Sequence, residues 1–426
     1  MGGMRLVAES ALGSLIASSL EQQTTAEGLA ASGRQPAGER LPLVVASGNW
    51  ATPAVALGAL DAVVPSYRLF VLNGQRGLPA RAGVIPVTPF VGPGMRGQPG
   101  LEYVPARLSL VPRLLTGPYR PNVVVIQTSP PIGGQVSLGT EVNILPAAIE
   151  AARTAGGLVV AQINRQMPYT FGDGELPVEA VDLAVEVDLP LPSPAVATPD
   201  DTRKALGERV ARLVPDGATV QLGIGAVPNA TTAALTERRG LRVWTETFSD
   251  GVLGLDRSGA LDPDVELVSS FVLGSQELYG WLHRNPRVRM LRTETVNDPA
   301  MIARQPGMTS INTALQVDLH AQANASYVRG RVWSGLGGQP DFVAGALHAP
   351  DGRALIALPS WHAKSSTSTI VPALIEPTTS FQHSYILSEH GTAALWGVSH
   401  RQQAAAIVSH VADPRAREQL TAALPR

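Results

Sequence analysis

Cysteine is absent from the 426 residues, which excludes disulfide cross-links, thiolate nucleophiles, cysteine-ligated zinc and iron–sulfur clusters. Charge is scarce too. Charged residues are 16% of the chain and the formal net charge is -2, so there is no basic surplus to attract nucleic acid or an anionic membrane face. No apolar run reaches the ~18 residues that would offer a bilayer span. Arg5 and Glu9 interrupt the stretch where a secretion signal would need its apolar core, so a cytoplasmic location is expected. Lysine is nearly missing. Of 33 lysines and arginines, only Lys204 and Lys364 are lysines; base composition of the genome accounts for such a bias, yet an ammonium is not interchangeable with a guanidinium in a tight site.

Several motifs are also lacking. The 8 histidines form no His-Glu-x-x-His, and His383 and His390 stand seven apart without further ligands, so no metal site is expected. There is no Gly-x-Ser-x-Gly elbow and no Walker-type phosphate loop. What remains is metal-free carboxylate chemistry, or none.

What is present is a long globular chain with 44% hydrophobic residues. Short runs rich in Val and Ile, bounded by Gly or Pro, read as buried strands at Leu41–Ala46, Val84–Val87, Asn122–Gln127, Gly157–Ile163 and Val181–Val187. Helical periodicity at Ile144–Ala155 lies between two of them. The first forty residues read as a helix followed by a loose loop. Four prolines in Leu189–Asp201 mark a linker. Beyond it come a helix at Thr202–Leu213 and strands near Thr219–Leu222, Arg242–Thr245, Glu266–Ser269, Ala354–Leu358 and Ser384–Leu387. Strands alternating with helices give an α/β fold with mainly parallel sheets. A faint echo between 143–164 and 218–246 fits two related halves, 1–195 and 196–426.

Chemistry concentrates in 219–250. The strand Thr219–Leu222 runs into Gly223-Ile224-Gly225-Ala226-Val227, and a helix starts near Pro228-Asn229. Glu246 follows 21 residues after Gly225, at the end of the next strand. That distance suits a dinucleotide fingerprint, but Pro228 stands where the third glycine belongs. A second reading keeps the geometry: the loop supplies N–H groups to an anion or oxyanion, and Glu246 acts as a nucleophile on an acyl group. A bare turn cap at Glu246 is the plain alternative. Gly335-Leu336-Gly337-Gly338 permits close approach of backbone to a ligand or is a flexible turn. Lys364, in a small polar loop after a strand, holds an anion or is merely solvated.

These segments resemble the acetyl-CoA hydrolase/transferase family, which includes 4-hydroxybutyrate and related carboxylate CoA-transferases. The resemblance runs through SPPIGGQVSLG (Ser129–Gly139), NRQMPYTFGD (Asn164–Asp173), DGATVQLGIGAVPNA (Asp216–Ala230), TETFSDGV (Thr245–Val252), VNDPAMIARQPGMTSINTALQVDL (Val296–Leu319), SGLGGQPDFVAGA (Ser334–Ala346) and SEHGTAALWG (Ser388–Gly397). It implies two similar CoA-transferase-type domains with the active site between them. The catalytic glutamate of the family's T-E-x-x-x-D-G motif falls on Glu246. CoA and oxyanion contacts fall on Gly223, Ile224, Gly225, Ala226, Val227, Pro228 and Asn229, on Gly335, Leu336, Gly337 and Gly338, and on Lys364. The resemblance also implies coenzyme A as substrate rather than bound cofactor, small carboxylates as partners, and a homodimer or larger homo-oligomer. The expected activity is CoA transfer, with acyl-CoA hydrolysis through the same glutamate as the alternative. A non-enzymatic CoA- or nucleotide-binding protein is the more distant one. The chain departs from the family pattern at Thr369, Ala344 and Trp396, where arginine is usual, and at His320-Ala321, where the second position is usually glycine.

Overall fold

The computed structural model describes residues 3–24, 41–193, 198–378, 380 and 382–425. The chain divides into two compact units, Met1–Pro194 with Ser270–Glu294, and Ala195–Ser269 with Thr295–Arg426. Against a division into 1–195 and 196–426, the boundary moves by one residue and the segment 270–294 counts with the first unit.

The first unit is built on eight strands: β1 (Arg5–Leu6), β2 (Leu43–Ala46), β3 (Tyr67–Val71), β4 (Val84–Thr88), β5 (Glu102–Tyr103), β6 (Val123–Thr128), β7 (Leu158–Asn164) and β8 (Leu183–Val187). They form one sheet in the order β1-β8-β7-β6-β2-β3-β4-β5, parallel throughout. Every residue of β2 and β6 is buried, as expected of strands covered on both faces, and this is why they read as apolar runs, interrupted only by Gln127 and Thr128 at the end of β6. Helix α1 (Glu9–Thr24) packs on α2 (Ala54–Asp61) so closely that a Cβ on Gly13 would lie 2.3 Å from the Ala59 carbonyl oxygen. Helix α3 (Leu145–Thr154) buries Ala148, Ile149 and Ala152, with Ile144 buried at its N-cap, the face expected from the spacing, and it buries Leu145, Pro146, Ala147 and Ala151 as well. Of the proline-rich linker, 194–197 lie outside the described residues; ahead of them, Leu191 and Pro192 accept hydrogen bonds from Gln276 and Tyr279.

The second unit opens with α4 (Asp201–Arg212), whose N-cap Asp200 accepts the Arg203 N–H at 2.9 Å. Its sheet comprises β9 (Thr219–Gln221), β10 (Arg242–Val243), β11 (Thr309–Asn312), β12 (Arg353–Ala357), β13 (Tyr385–Leu387) and β14 (Thr392–Ala394), in the order β10-β9-β11-β12-β13-β14. Only β14 is antiparallel. Helices α5 (Ala226–Ala234) and α6 (Asp250–Arg257) follow β9 and Glu246, and α7 (Gln339–His348) precedes β12. Glycines set the spacing of this layer. A Cβ on Gly207 would meet the Ala230 backbone at 2.5 Å, and one on Gly251 would meet Thr232 Oγ1 at 2.4 Å. The strand at Leu267–Ser269 forms, but outside the six-stranded sheet. Both units therefore have the expected α/β architecture, and among the described residues no helix is long and apolar enough to cross a membrane.

Candidate active site

Strands β9 and β10 run parallel with Thr219 beside Arg242 and Val220 beside Val243. The register is carried past the strand ends by one side chain. Thr245 Oγ1 accepts the Leu222 N–H at 3.2 Å and donates to the Leu222 carbonyl at 2.9 Å. Gly223 and Glu246, each following a member of that pair, thus leave the carboxyl edge of the sheet side by side, where ligands of open α/β sheets bind.

Gly225 has φ 121° and ψ -177° as N-cap of α5, a conformation open to glycine and strained for other residues. The amides of Gly223, Ile224 and Gly225 take no hydrogen-bond partner among the described residues. Ile224 and Gly225 are exposed, while Val227 and Pro228 are buried in the first turn of α5. The loop therefore presents free N–H groups at the start of a helix, as an anion site requires.

Glu246 is only partly accessible. Its Oε2 accepts a hydrogen bond from Asn297 Nδ2 at 3.1 Å, and Asn297 is fully buried. Its Oε1 has no hydrogen-bond partner among the described residues. The second glycine cluster closes on this pair. Gly338 is the N-cap of α7, and a Cβ there would stand 1.8 Å from Glu246 Oε2 and 2.4 Å from Asn297 Nδ2. Gly335 and Gly337 have φ 139° and 57°, turning the chain so that the bare Gly338 backbone lies against the carboxylate. Asp341, in the first turn of α7, is buried nearby.

These surroundings push the Glu246 carboxyl up to about 7. Desolvation on burial is the main cause; the Asn297 hydrogen bond works against it, and the like charge of Asp341 adds to it. The sign of the stability effect follows. Below pH 4.5 the group is protonated in both folded and unfolded chains and costs nothing. As pH rises from 4.5 to about 7 the unfolded chain ionises first, so the folded state loses stability, and above pH 7 the deficit is constant. The gap corresponds to about 3 kcal/mol at 1.36 kcal/mol per unit. Glu246→Gln is therefore expected to be more stable than the parent by that order at pH 8, with no gain near pH 4. Denaturant titration at the two pH values checks this; a variant less stable than the parent at pH 8 would contradict it.

Lys364 belongs to a different loop of the second unit. It lies in the exposed turn between Trp361–His362 and Thr367–Ser368, a small hairpin beyond β12, and makes no hydrogen bond or ion pair with Glu246. The base of the hairpin is held firmly: Glu389 accepts the Ser360 N–H at 2.9 Å, and the Arg415 guanidinium lies 3.8 Å from the centre of the Trp361 ring. The three positions without the family's usual arginine differ in setting. Thr369 is buried and donates to the Pro359 carbonyl at 2.7 Å, Ala344 lies in α7, and Trp396 is 66% exposed. Ala321, in the usual glycine position, retains φ 59°. Among the described residues, one group of three has atoms close enough to share a metal, Glu389, His390 and Asp413. Its charge is already met, since Arg415 holds Asp413 at 2.8 Å and depresses its pKa, and Ser360 hydrogen bonds occupy both Glu389 carboxylate oxygens.

Sequence reading missed Asn297 and Asp341. Both lie within stretches that carry the resemblance, but neither has a local signal of its own.

The acetyl-CoA hydrolase/transferase N-terminal domain model matches residues 95–196, and the C-terminal domain model matches 274–424. The chain is 35% identical over 331 residues to the 4-hydroxybutyrate coenzyme A transferase of Clostridium kluyveri, covering 75% of this chain and 76% of that protein. The crystal structure of RipA from Yersinia pestis matches with a TM-score of 0.84 at 28% identity, covering 96% of this chain and 98% of that one. A 4-hydroxybutyrate CoA-transferase from Porphyromonas gingivalis matches with a TM-score of 0.78 at 28% identity, covering 98% and 96%.

Proposed function

Because the chain belongs to the acetyl-CoA hydrolase/transferase family, we propose that it is an acyl-CoA:carboxylate CoA-transferase in which Glu246 is the nucleophile. The observation that carries this reading is the state of that carboxylate: one oxygen is held by Asn297, the other has no donor among the described residues, and burial raises its basicity. A carboxylate so desolvated and oriented is a better nucleophile than one in water.

The ionised Glu246 attacks the thioester carbon of an acyl-CoA. The tetrahedral centre collapses, the C–S bond breaks, CoA leaves as thiolate and a mixed anhydride remains. The thiolate then attacks the glutamyl carbonyl and releases the acyl group as its carboxylate, leaving a glutamyl-CoA thioester. A second carboxylate reverses these steps and departs as the new CoA ester. One thioester is exchanged for another, so the free-energy change is near zero and no ATP is consumed. The free amides of the Gly223–Gly225 loop are suited to the oxyanion, each worth about 3 kcal/mol by analogy with other oxyanion holes. Lys364 is suited to a phosphate or carboxylate of the substrates as a point charge. The acids expected are small, such as acetate or 4-hydroxybutyrate, by analogy with the relatives named above.

Borohydride treatment after incubation with acetyl-CoA tests the intermediate. Reduction of the glutamyl thioester should convert the Glu246 side chain to an alcohol, read by peptide mass spectrometry. Unmodified Glu246 in an enzyme that still turns over would sink the proposal. A panel of acetate, succinate and 4-hydroxybutyrate then separates the two activities of the family: acceptor-dependent formation of a new CoA ester means transfer, and acceptor-independent release of CoA means hydrolysis.

A further inference from the structure

Two histidines that no sequence spacing connects meet at the rim of a cavity in the second unit. His320 Nδ1 lies 3.0 Å from His400 Nε2, with ring centres 4.9 Å apart and planes 19° from parallel. Each imidazole stands on a fixed piece of backbone. Asp318 Oδ1 accepts the N–H groups of His320 and Gln322 at 3.0 and 2.9 Å, and the turn passes through Ala321 at φ 59°. His400 opens a helix, α8 (His400–Ala406), behind Ser399, which forms a reciprocal capping box with Gln402. The cavity beside the pair has a volume of about 470 Å³, and its lining includes His320, His383, Trp396 and Gln403 but no Asp, Glu, Lys or Arg.

We infer that His320 and His400 form a two-histidine site for a divalent transition-metal ion such as Zn²⁺ or Ni²⁺, tying the turn at 318–322 to the carboxyl-terminal helical segment. Two imidazole nitrogens on one tetrahedral zinc, each at 2.0–2.1 Å, stand about 3.3 Å apart, so the observed pair needs to open by only a few tenths of an ångström. A hydrogen bond between two neutral imidazoles carries one proton on a facing nitrogen. The ion takes both facing lone pairs when that proton moves to the other nitrogen of its own ring, a tautomer change with no net proton release. Water from the cavity completes the coordination, and no cationic side chain lines it to repel the metal. Imidazole ligands favour Zn²⁺, Ni²⁺ and Cu²⁺ over the oxygen-seeking Mg²⁺ and Ca²⁺. The site is independent of the reaction assigned to Glu246.

Calorimetric titration of the full chain, without a histidine tag, tests it. Zn²⁺ or Ni²⁺ should bind with a Kd of about 10 µM, half the free energy of a four-ligand structural site. Saturating metal should also raise the thermal midpoint by a few degrees. His320→Ala and His400→Ala, both at exposed positions, should each weaken binding at least about tenfold and remove the thermal shift. His362→Ala should leave both unchanged. No binding below about 1 mM, binding by either variant as tight as the parent's, or Mg²⁺ binding as tight as Zn²⁺ would each overturn the inference.

Discussion

Glu246→Ala is expected to abolish CoA exchange, lowering kcat by a factor of about 10⁴ or more, while CoA still binds. The variant removes both the group that forms the anhydride and the acceptor of the Asn297 hydrogen bond. It leaves the Gly223–Gly225 amides and Lys364 untouched, so affinity for CoA should change little. Steady-state exchange between acetyl-CoA and a labelled carboxylate gives the first quantity, and equilibrium titration with CoA the second. Retained exchange would remove Glu246 from the reaction, and lost binding would mean that the substitution disturbs the loops as well.

Gly338→Ala should be nearly as damaging for a different reason. Its φ of -90° is one that alanine adopts freely, so the backbone has no objection to the change. The added methyl would stand 1.8 Å from Glu246 Oε2 and 2.4 Å from Asn297 Nδ2, closer than any non-bonded contact. The carboxylate must move and its hydrogen bond must break or re-form elsewhere. A displacement on the ångström scale at a nucleophile costs about a hundredfold in rate, so kcat should fall by about 10² with the fold intact by circular dichroism. Gly254→Ala is the control. It lies in α6 with open space where the methyl would go, and it should leave kcat unchanged. If Gly338→Ala retained full activity, the close packing of α7 on the nucleophile would be without consequence.

Much of this site was legible in the chain itself, because its signals are local. A glycine pair after a strand and an acid at the end of the next strand can be seen by reading along the sequence. The parts that escaped are those made by distant segments. Asn297 and Asp341 reach Glu246 only because the loop at 297 and helix α7 meet the chain beyond β10 in space. The pairing of His320 with His400 escaped for the same reason, since a search for histidine spacings sees only neighbours in sequence. Among the strands, β11 gave little sign of itself. Its residues Thr309-Ser310-Ile311-Asn312 carry a single aliphatic side chain, yet the first three are buried. They are satisfied there by Gln221, whose Oε1 accepts from Ser310 Oγ, the Ile311 N–H and Asn312 Nδ2 at 3.1, 3.2 and 3.1 Å. A polar seam can replace apolar burial when its hydrogen bonds are complete, and hydrophobicity alone does not reveal it. Strand β3 was missed because Arg68 breaks its apolar run, although its guanidinium lies over the Tyr119 ring and bonds Glu102.

The first sheet has a consequence for how the protein is made. Its opening strand β1 finds its partner only at β8, with Arg5 beside Leu183. On a ribosome adding 5–20 residues each second, the start of the chain waits roughly 10–40 s before that partner has even been synthesised. Helix α1 can settle against α2 long before then. Closure of this sheet edge therefore cannot begin before β8 has been made, and until it happens the flank of β8 is bare to other nascent chains.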